Sequence, residues 1–547
     1  MKPVPRDLPQ RTVFVLVALL TFAAMANSLS NGFAYDDVPA IAENALFRTG
    51  AAPWRYLTEP YWSTEGAGLL WRPLTVAMFG LQYAIRADAW LFHLVNALLA
   101  AAATTLLTWV TLRLTTPLRA LAVGALFATM PVHTEVTANV TGQAELWCLI
   151  GTLGAAIVWL SAPDTLHPDR RRALLMLCVV ASAAAKEQGF MTPLILGLLE
   201  WLRPDGPRAR NTVLRDLAPS LVALGLLIVA RLVLLEGAGG GPAIWALADL
   251  SMPERALVML GLVPRMILLF IWPTRLLADY NPGDVSVVPA FGEPQFTGLA
   301  LLLMAAGLVR ISPTWKGTAA LVGGALAAFA PVANIGIISG VVFAERHLFI
   351  PSAFLLLAVA VGLPELEFGR MRTALIGLVC AAVVLGLSRT WQRNPEWAST
   401  ETIIGALRRD APSNYRGLTL WARLQLHKGQ PDSTEALLRQ ALSQFKGDPR
   451  VYEDLGQIIR VRYGCVAALP ILQRGLRIDP TRVALRAKAA ACTEPPQAPA
   501  RVSDMPIIRP ASPALDRTGG VLPGDSTARR VDSATTVPEP AEGSGQP

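Results

Sequence analysis

The sequence predicts a mostly α protein: a polytopic bundle of about 11 membrane-spanning helices, then a short α-helical solenoid, then a disordered tail. Three observations carry this. Of the 547 residues, 53% are hydrophobic and only 16% are charged, and the mean hydropathy is positive. That is the profile of a membrane protein rather than a soluble enzyme. Apolar runs of membrane-spanning length recur as far as residue 388. Beyond them, amphipathic helical spacing takes over, with a repeat near the ~34 residues of tetratricopeptide (TPR) pairs.

The first run, residues 12–29, follows Lys2, Arg6 and Arg11. It has the form of a signal peptide, with Ala24-Met25-Ala26 as a small-x-small site. Because many spans follow, it reads as a retained first span. Further runs lie at 89–112, 119–132, 145–161, 173–185, 190–202, 217–235, 296–309, 317–333, 348–363 and 373–388. Residues 73–86, with Pro73, Gln82 and Arg86, and residues 253–273, with Glu254, Arg255 and Arg265, are interrupted. Both read as helices lying on the membrane surface.

An N-terminus in the cytoplasm puts Arg113 and Arg119, Arg170 to Arg172, Arg203 to Arg215, Arg310 with Lys316, and Arg370 with Arg372 all inside. Every one of those connections is basic, as the positive-inside rule requires. The net charge of +8 is thus an orientation signal and not a nucleic-acid footprint. The domain reading is 1–392 membrane part, 393–492 TPR-like helices, and 493–547 a Pro-, Ser- and Ala-rich disordered tail.

In the second part, "ALLRQALSQFKGDP" and "PILQRGLRIDP" close two helical pairs. Cys465 and Cys492 lie there and could pair if this part is extracytoplasmic, though spacing does not fix disulfide geometry. Cys148, Cys178 and Cys380 lie in apolar runs and read as packing residues.

The same topology places the polar clusters that are not basic loops on the outer face. Asp36-Asp37 follows the first span. In isolation an Asp pair reads as a cap or turn. At a membrane surface, one carboxylate can take a proton from a hydroxyl, and its neighbour can raise its pKa or hold a cation. His133-Thr134-Glu135 is either a polar helix end or a functional group, and it lacks the ligand spacing of a metal site. Lys186-Glu187 is either a self-neutralising pair or a binding pair. Arg346-His347 suits a phosphate, since a guanidinium offers a fork of donors, unless Arg346 merely snorkels.

Taken in order, "NGFAYDD", "WRPLT", "FHLVNALL", "MPVHTEVTANVTGQAEL", "AAAKEQGF", "ADYNPGDV", "AERHLFIPS" and "TWQRNPEW" resemble the transmembrane and TPR repeat-containing (TMTC-like) family, in its bacterial form. That family belongs to the GT-C glycosyltransferases and is related to protein O-mannosyltransferases. The resemblance implies a GT-C-like bundle. It also implies transfer of a sugar from a polyprenyl-phosphate donor to an acceptor, a protein Ser or Thr hydroxyl, on the outer face. Asp36 is then the favoured base and Asp37 its support. Lys186, Arg346 and His347 face the carrier phosphate, together with His133 and Glu135.

The chain departs from the family at Met130, where a histidine is usual, and at Gln143, where a basic residue is usual. The sequence assigns no cofactor, and a divalent cation at the acidic pair stays an open alternative. The implied partners are the lipid donor, an acceptor protein, membrane lipid and a protein partner for the TPR-like helices, with no nucleic acid. The implied location is the bacterial inner membrane, with the TPR-like part extracytoplasmic. Two competing readings are a non-catalytic membrane scaffold and a lipid-linked sugar transporter. A transporter calls for mid-span charges and repeat symmetry, neither of which the sequence offers.

Overall fold

Each of the eleven apolar runs forms a helix. In chain order they are α1 (Gln10–Met25), α3 (Ala89–Leu114), α4 (Pro117–Thr129), α5 (Gln143–Leu160), α6 (Pro168–Ala185), α7 (Thr192–Leu199), α8 (Arg210–Leu234), α10 (Glu293–Ile311), α11 (Trp315–Phe329), α12 (Phe349–Gly362) and α13 (Arg370–Arg393). The two interrupted stretches are helical as well, as α2 (Pro73–Ile85) and α9 (Met252–Ile271). The computed structural model describes residues 9–62, 70–161, 167–203, 206–235, 245–364 and 369–493. The disorder expected of the tail falls on residues 494–547, outside the described part.

Seven of the described helical segments are long and apolar enough to cross a membrane by length and composition. The other apolar helices are shorter, as Pro117–Thr129 is, or carry more charge, as α9 does with Glu254, Arg255 and Arg265. No β-strand occurs among the described residues, only an isolated bridge between Tyr280 and Phe343.

The main core joins α3, α5, α6, α7, α11 and α12 through Leu107, Leu149, Val179, Leu196, Leu321 and Phe354. Helices α8, α10 and α13 instead leave large apolar side chains exposed, among them Val233, Leu303 and Leu378. A continuous apolar exterior of this kind is stable only against lipid tails. The protein is a mostly α membrane protein.

The bundle has two chemically distinct ends. At one, Arg119 donates to the carbonyls of Ala360 (2.9 Å) and Pro364 (2.7 Å). There too, Arg208 bridges Glu200 and Asp216, at 2.9 Å each. The opposite ends of α4, α5, α6 and α12 lead to His133, Glu145, Lys186 and Arg346. The basic connections and the acid-rich connections are therefore segregated, as the alternation of spans dictates.

The helical pairs follow on the acid-rich end. They are α14 (Thr400–Asp410), α15 (Tyr415–His427), α16 (Pro431–Gln444), α17 (Pro449–Tyr463), α18 (Cys465–Ile478) and α19 (Val483–Ala490). Starts at 415 and 449, and again at 431 and 465, give the same 34-residue offset twice. Local chemistry fixes those starts. Asn414 caps α15 by accepting from Gly417 N, and Asp448 caps α17 by accepting from Arg450 N. Pro431 and Pro449 sit where a helix needs no N–H. Leu418, Leu438, Leu455, Leu472 and Leu485 fill the space between the pairs.

Cys465 and Cys492 form a disulfide that pins the chain after α19 to the start of α18. Closing a loop of this size stabilises by about 3 kcal/mol. Replacing both cysteines by serine is therefore expected to lower the melting temperature of the helical pairs, and reductant is expected to do the same to the native chain and nothing further to the variant.

Candidate active site at one end of the bundle

The loop after α1 is held from its first residue. Asn31 donates to the Asn394 carbonyl (2.9 Å), and Gly32 N donates to Ala398 O (3.0 Å). The strap between α13 and α14 therefore fixes where the loop leaves the membrane. Tyr35 then adopts φ +52°, a left-handed conformation that an aromatic residue takes only when its surroundings hold it there. They do so from both sides: Tyr35 N donates to Thr400 Oγ1 at 2.9 Å, and its hydroxyl donates to Asp279 Oδ2 at 3.3 Å.

This kink gives the two adjacent aspartates different surroundings. Asp37 is fully buried and accepts three backbone N–H groups, from Ala34 (3.3 Å), Val140 (3.2 Å) and Thr141 (2.8 Å). It ties the first loop to the turn that starts α5. Gly142 is required in that turn, because a Cβ there would stand 2.0 Å from Val136 O. Burial pushes the Asp37 carboxyl up to about 7, against the lowering by its three N–H donors. Asp37→Ala leaves those donors without an acceptor and is expected to lower stability by roughly 3 kcal/mol, read from thermal unfolding in detergent.

Asp36 keeps 27% of its side chain exposed, and its Oδ2 lies 3.6 Å from Arg346 Nη1. Burial raises its pKa above the usual carboxylate value, while Arg346 and then Arg416 pull it down. Arg346 is in turn fixed by Glu135. The Arg346 backbone N donates to Glu135 Oε2 at 2.8 Å, and its Nη1 donates to Oε1 at 2.6 Å. Glu135 has no exposure, whereas Arg346 retains 23%. A buried carboxylate thus aims a half-open guanidinium at a half-open carboxylate.

Around this centre stand two further ion pairs. Lys186 bonds Glu145, and both are nearly inaccessible at 4% and 2%. Glu145 thus takes Lys186 as its partner. Arg72 makes a forked contact with Glu187, 2.8 Å at its closest, and lies over the Tyr61 ring at 5.0 Å. Burial alone would raise Glu187, but Arg72 outweighs it and holds the carboxyl down at about 2. Gln143 exchanges hydrogen bonds of 2.9 Å with Gln82, an uncharged pair at the position where a basic residue was the family expectation.

The structure thus brings Asp36, Glu135, Lys186 and Arg346 together, and it sets the two histidines apart. His133 Nδ1 contacts the Phe127 carbonyl at 3.0 Å and its Nε2 contacts Ser352 Oγ at 2.9 Å. Its ring is wedged between Phe127 and Phe349. Burial holds its pKa down at about 3, so it is neutral. His347 is buried edge-on to Phe343, with an unpartnered Nδ1. Among the described residues, no group of three or more His, Cys, Asp and Glu side chains could hold a metal ion.

Two residues of the site escape the sequence reading. Asp279, present in the sequence reading only within the stretch "ADYNPGDV", bonds Tyr35 and stands 3.1 Å from Arg416 Nε. Arg416 lies in the first turn of α15, in the TPR-like part. A cation at a helix N-terminus opposes the helix dipole, and that misplacement is the one signal that could have marked it.

No family model matches the chain. It is similar to named relatives from animals. The Drosophila melanogaster protein O-mannosyl-transferase Tmtc2 is 35% identical over 231 residues, which is 40% of this chain and 24% of that protein. The Drosophila melanogaster Tmtc3 is 26% identical over 83% of this chain and 57% of its own length. The Homo sapiens TMTC3 is 26% identical over 72% of this chain and 47% of its own. The chain thus spans from about a quarter to just over half of these relatives. It is similar over as much as 83% of its length to proteins named as protein O-mannosyl-transferases.

Proposed function

We propose that the chain is an integral membrane glycosyltransferase of the GT-C type, O-mannosyltransferase-like. It moves a sugar from a polyprenyl-phosphate donor to a protein Ser or Thr hydroxyl on the extracytoplasmic face. The observation that carries this is the half-exposed Asp36 carboxylate facing the Glu135-anchored Arg346 guanidinium. Such a pair offers what the reaction needs: a base for the acceptor hydroxyl and a cation beside the leaving phosphate.

In this reading Asp36 takes the acceptor proton, the acceptor oxygen bonds the sugar carbon, and the sugar–phosphate bond breaks with its electron pair leaving on the phosphate. Arg346 holds that phosphate. Lys186 and Arg72, each paired with a carboxylate, stand around the site. Asp37 and Glu135 hold the base and the cation in position. His133 and His347 shape the buried wall behind Arg346. A single in-line displacement predicts inversion at the sugar carbon, which the anomer of product against donor tests.

The positive-inside pattern supports an extracytoplasmic site in the bacterial inner membrane. So does the Cys465–Cys492 disulfide, a bond that persists in oxidising compartments. The scaffold and transporter readings make no use of the anchored acid–guanidinium pair.

The test in cells is glycoproteomics of extracytoplasmic proteins with and without the chain. Hexose-bearing Ser and Thr peptides are expected to disappear on deletion and to return with wild type but not with Asp36→Asn. Return with the variant would favour the scaffold. The pH profile has a fixed sign. A base works deprotonated, so kcat/KM should rise with pH through the Asp36 pKa, above the ordinary value of about 4. Arg346→Gln removes the cation that most lowers Asp36, so the residual activity of that variant should rise at higher pH still.

A further inference from the structure

We infer that Arg416, on the first helical pair, is the second guanidinium of the anion site, so that the leaving phosphate is held jointly by the membrane bundle and the TPR-like part. This rests on the reading of the site as a lipid-phosphate glycosyltransferase.

The two arginines are built alike. Arg346 is anchored by Glu135, which has no exposure, and Arg416 by Asp279, at 1%. Each arginine stays open to a similar degree, 23% and 24%. Both ion pairs reach the Tyr35–Asp36 step. Arg346 Nη1 stands 3.6 Å from Asp36 Oδ2, and Asp279 Oδ2 accepts the Tyr35 hydroxyl at 3.3 Å. Arg416 approaches Asp279 most closely through Nε, and none of its nitrogens is among the buried atoms lacking a partner. About a quarter of the side chain, 24%, stays exposed. Two guanidiniums flanking one base, each with spare donors, suit an oxyanion that accepts on several oxygens.

Docking of the TPR-like part does not explain the arginine. Asn414 Nδ2 donates to Asp279 O at 2.9 Å and Tyr415 N donates to Pro282 O at 3.2 Å. Gly283, at φ +96°, lies so close to Ser413 that a Cβ would meet its carbonyl at 1.8 Å. The backbone contacts already seat α15, which leaves the guanidinium for the site.

The experiment measures binding of a short-chain polyprenyl monophosphate to the full chain in nanodiscs, alongside sugar transfer and melting temperature. Arg416→Lys keeps the ion pair with Asp279 but loses the fork. It is expected to melt like wild type, to bind about tenfold more weakly, as loss of one or two charge-assisted hydrogen bonds implies, and to raise KM for the donor more than it lowers kcat. Arg416→Gln should bind more weakly still. Equal affinity in wild type and both variants, including no binding by any of them, would overturn the inference. Asp36→Asn separates the two levels. It is expected to bind the lipid phosphate like wild type and to transfer about 10²–10⁴-fold more slowly, and transfer by that variant at the wild-type rate would sink the proposed function whatever Arg416 does.

Discussion

Asp36→Asn is expected to lower sugar transfer by about 10²–10⁴-fold, the contribution of a positioned general base, while the protein folds and melts as before. The fold is insensitive because Asp36 is partly exposed and its nearest cation, at 3.6 Å, is already held by Glu135. The amide keeps the shape and loses only the ability to take a proton. The neighbouring substitution has the opposite profile, since Asp37 accepts three backbone N–H groups and has no exposure. Side by side, the two variants separate catalysis from architecture within one dipeptide: activity without stability at 36, and stability first at 37. Transfer rates and melting temperatures on the same preparations check both.

Arg346→Met should be the most damaging single change for both properties. It removes the cation from the phosphate side of the site and strands the Glu135 carboxylate, which has no exposure and loses its bond from Arg346 Nη1. Breaking a buried pair from one side costs roughly 3–5 kcal/mol. The double variant Glu135→Met with Arg346→Met removes both charges at once. It should recover most of the stability, because a buried pair is often replaceable by apolar groups, and none of the transfer. A double variant no more stable than the single one would mean that the pair does more than neutralise itself.

Periodicity and composition were sufficient for the helices. All eleven apolar runs became helices, because burial or lipid contact of an apolar surface and complete internal pairing of the backbone leave little else. The 34-residue offset of the helical pairs was legible for the same reason. Within the site, the sequence placed Asp36, Glu135, Lys186 and Arg346 on one face, because alternation of spans decides the face.

It could not tell which aspartate faces outward, since that depends on a left-handed residue at Tyr35 held by Thr400 and Asp279, partners more than 200 positions away. Nor could it separate His133 from the cluster, because the Phe127 and Phe349 rings that enclose it come from two different helices. Arg416 was out of reach for a related reason: its place in the site follows from how the helical pairs seat on the Asp279 loop.

The most direct measurement is transfer by the purified full chain in nanodiscs, supplied with a polyprenyl-phosphate mannose and an extracytoplasmic protein, and read by intact-protein mass spectrometry. The account predicts that wild type adds hexose to Ser or Thr, that Asp36→Asn adds it about 10²–10⁴-fold more slowly, and that Arg346→Met adds none. Hexose addition by Asp36→Asn at the wild-type rate, or none by wild type with this donor, would contradict it.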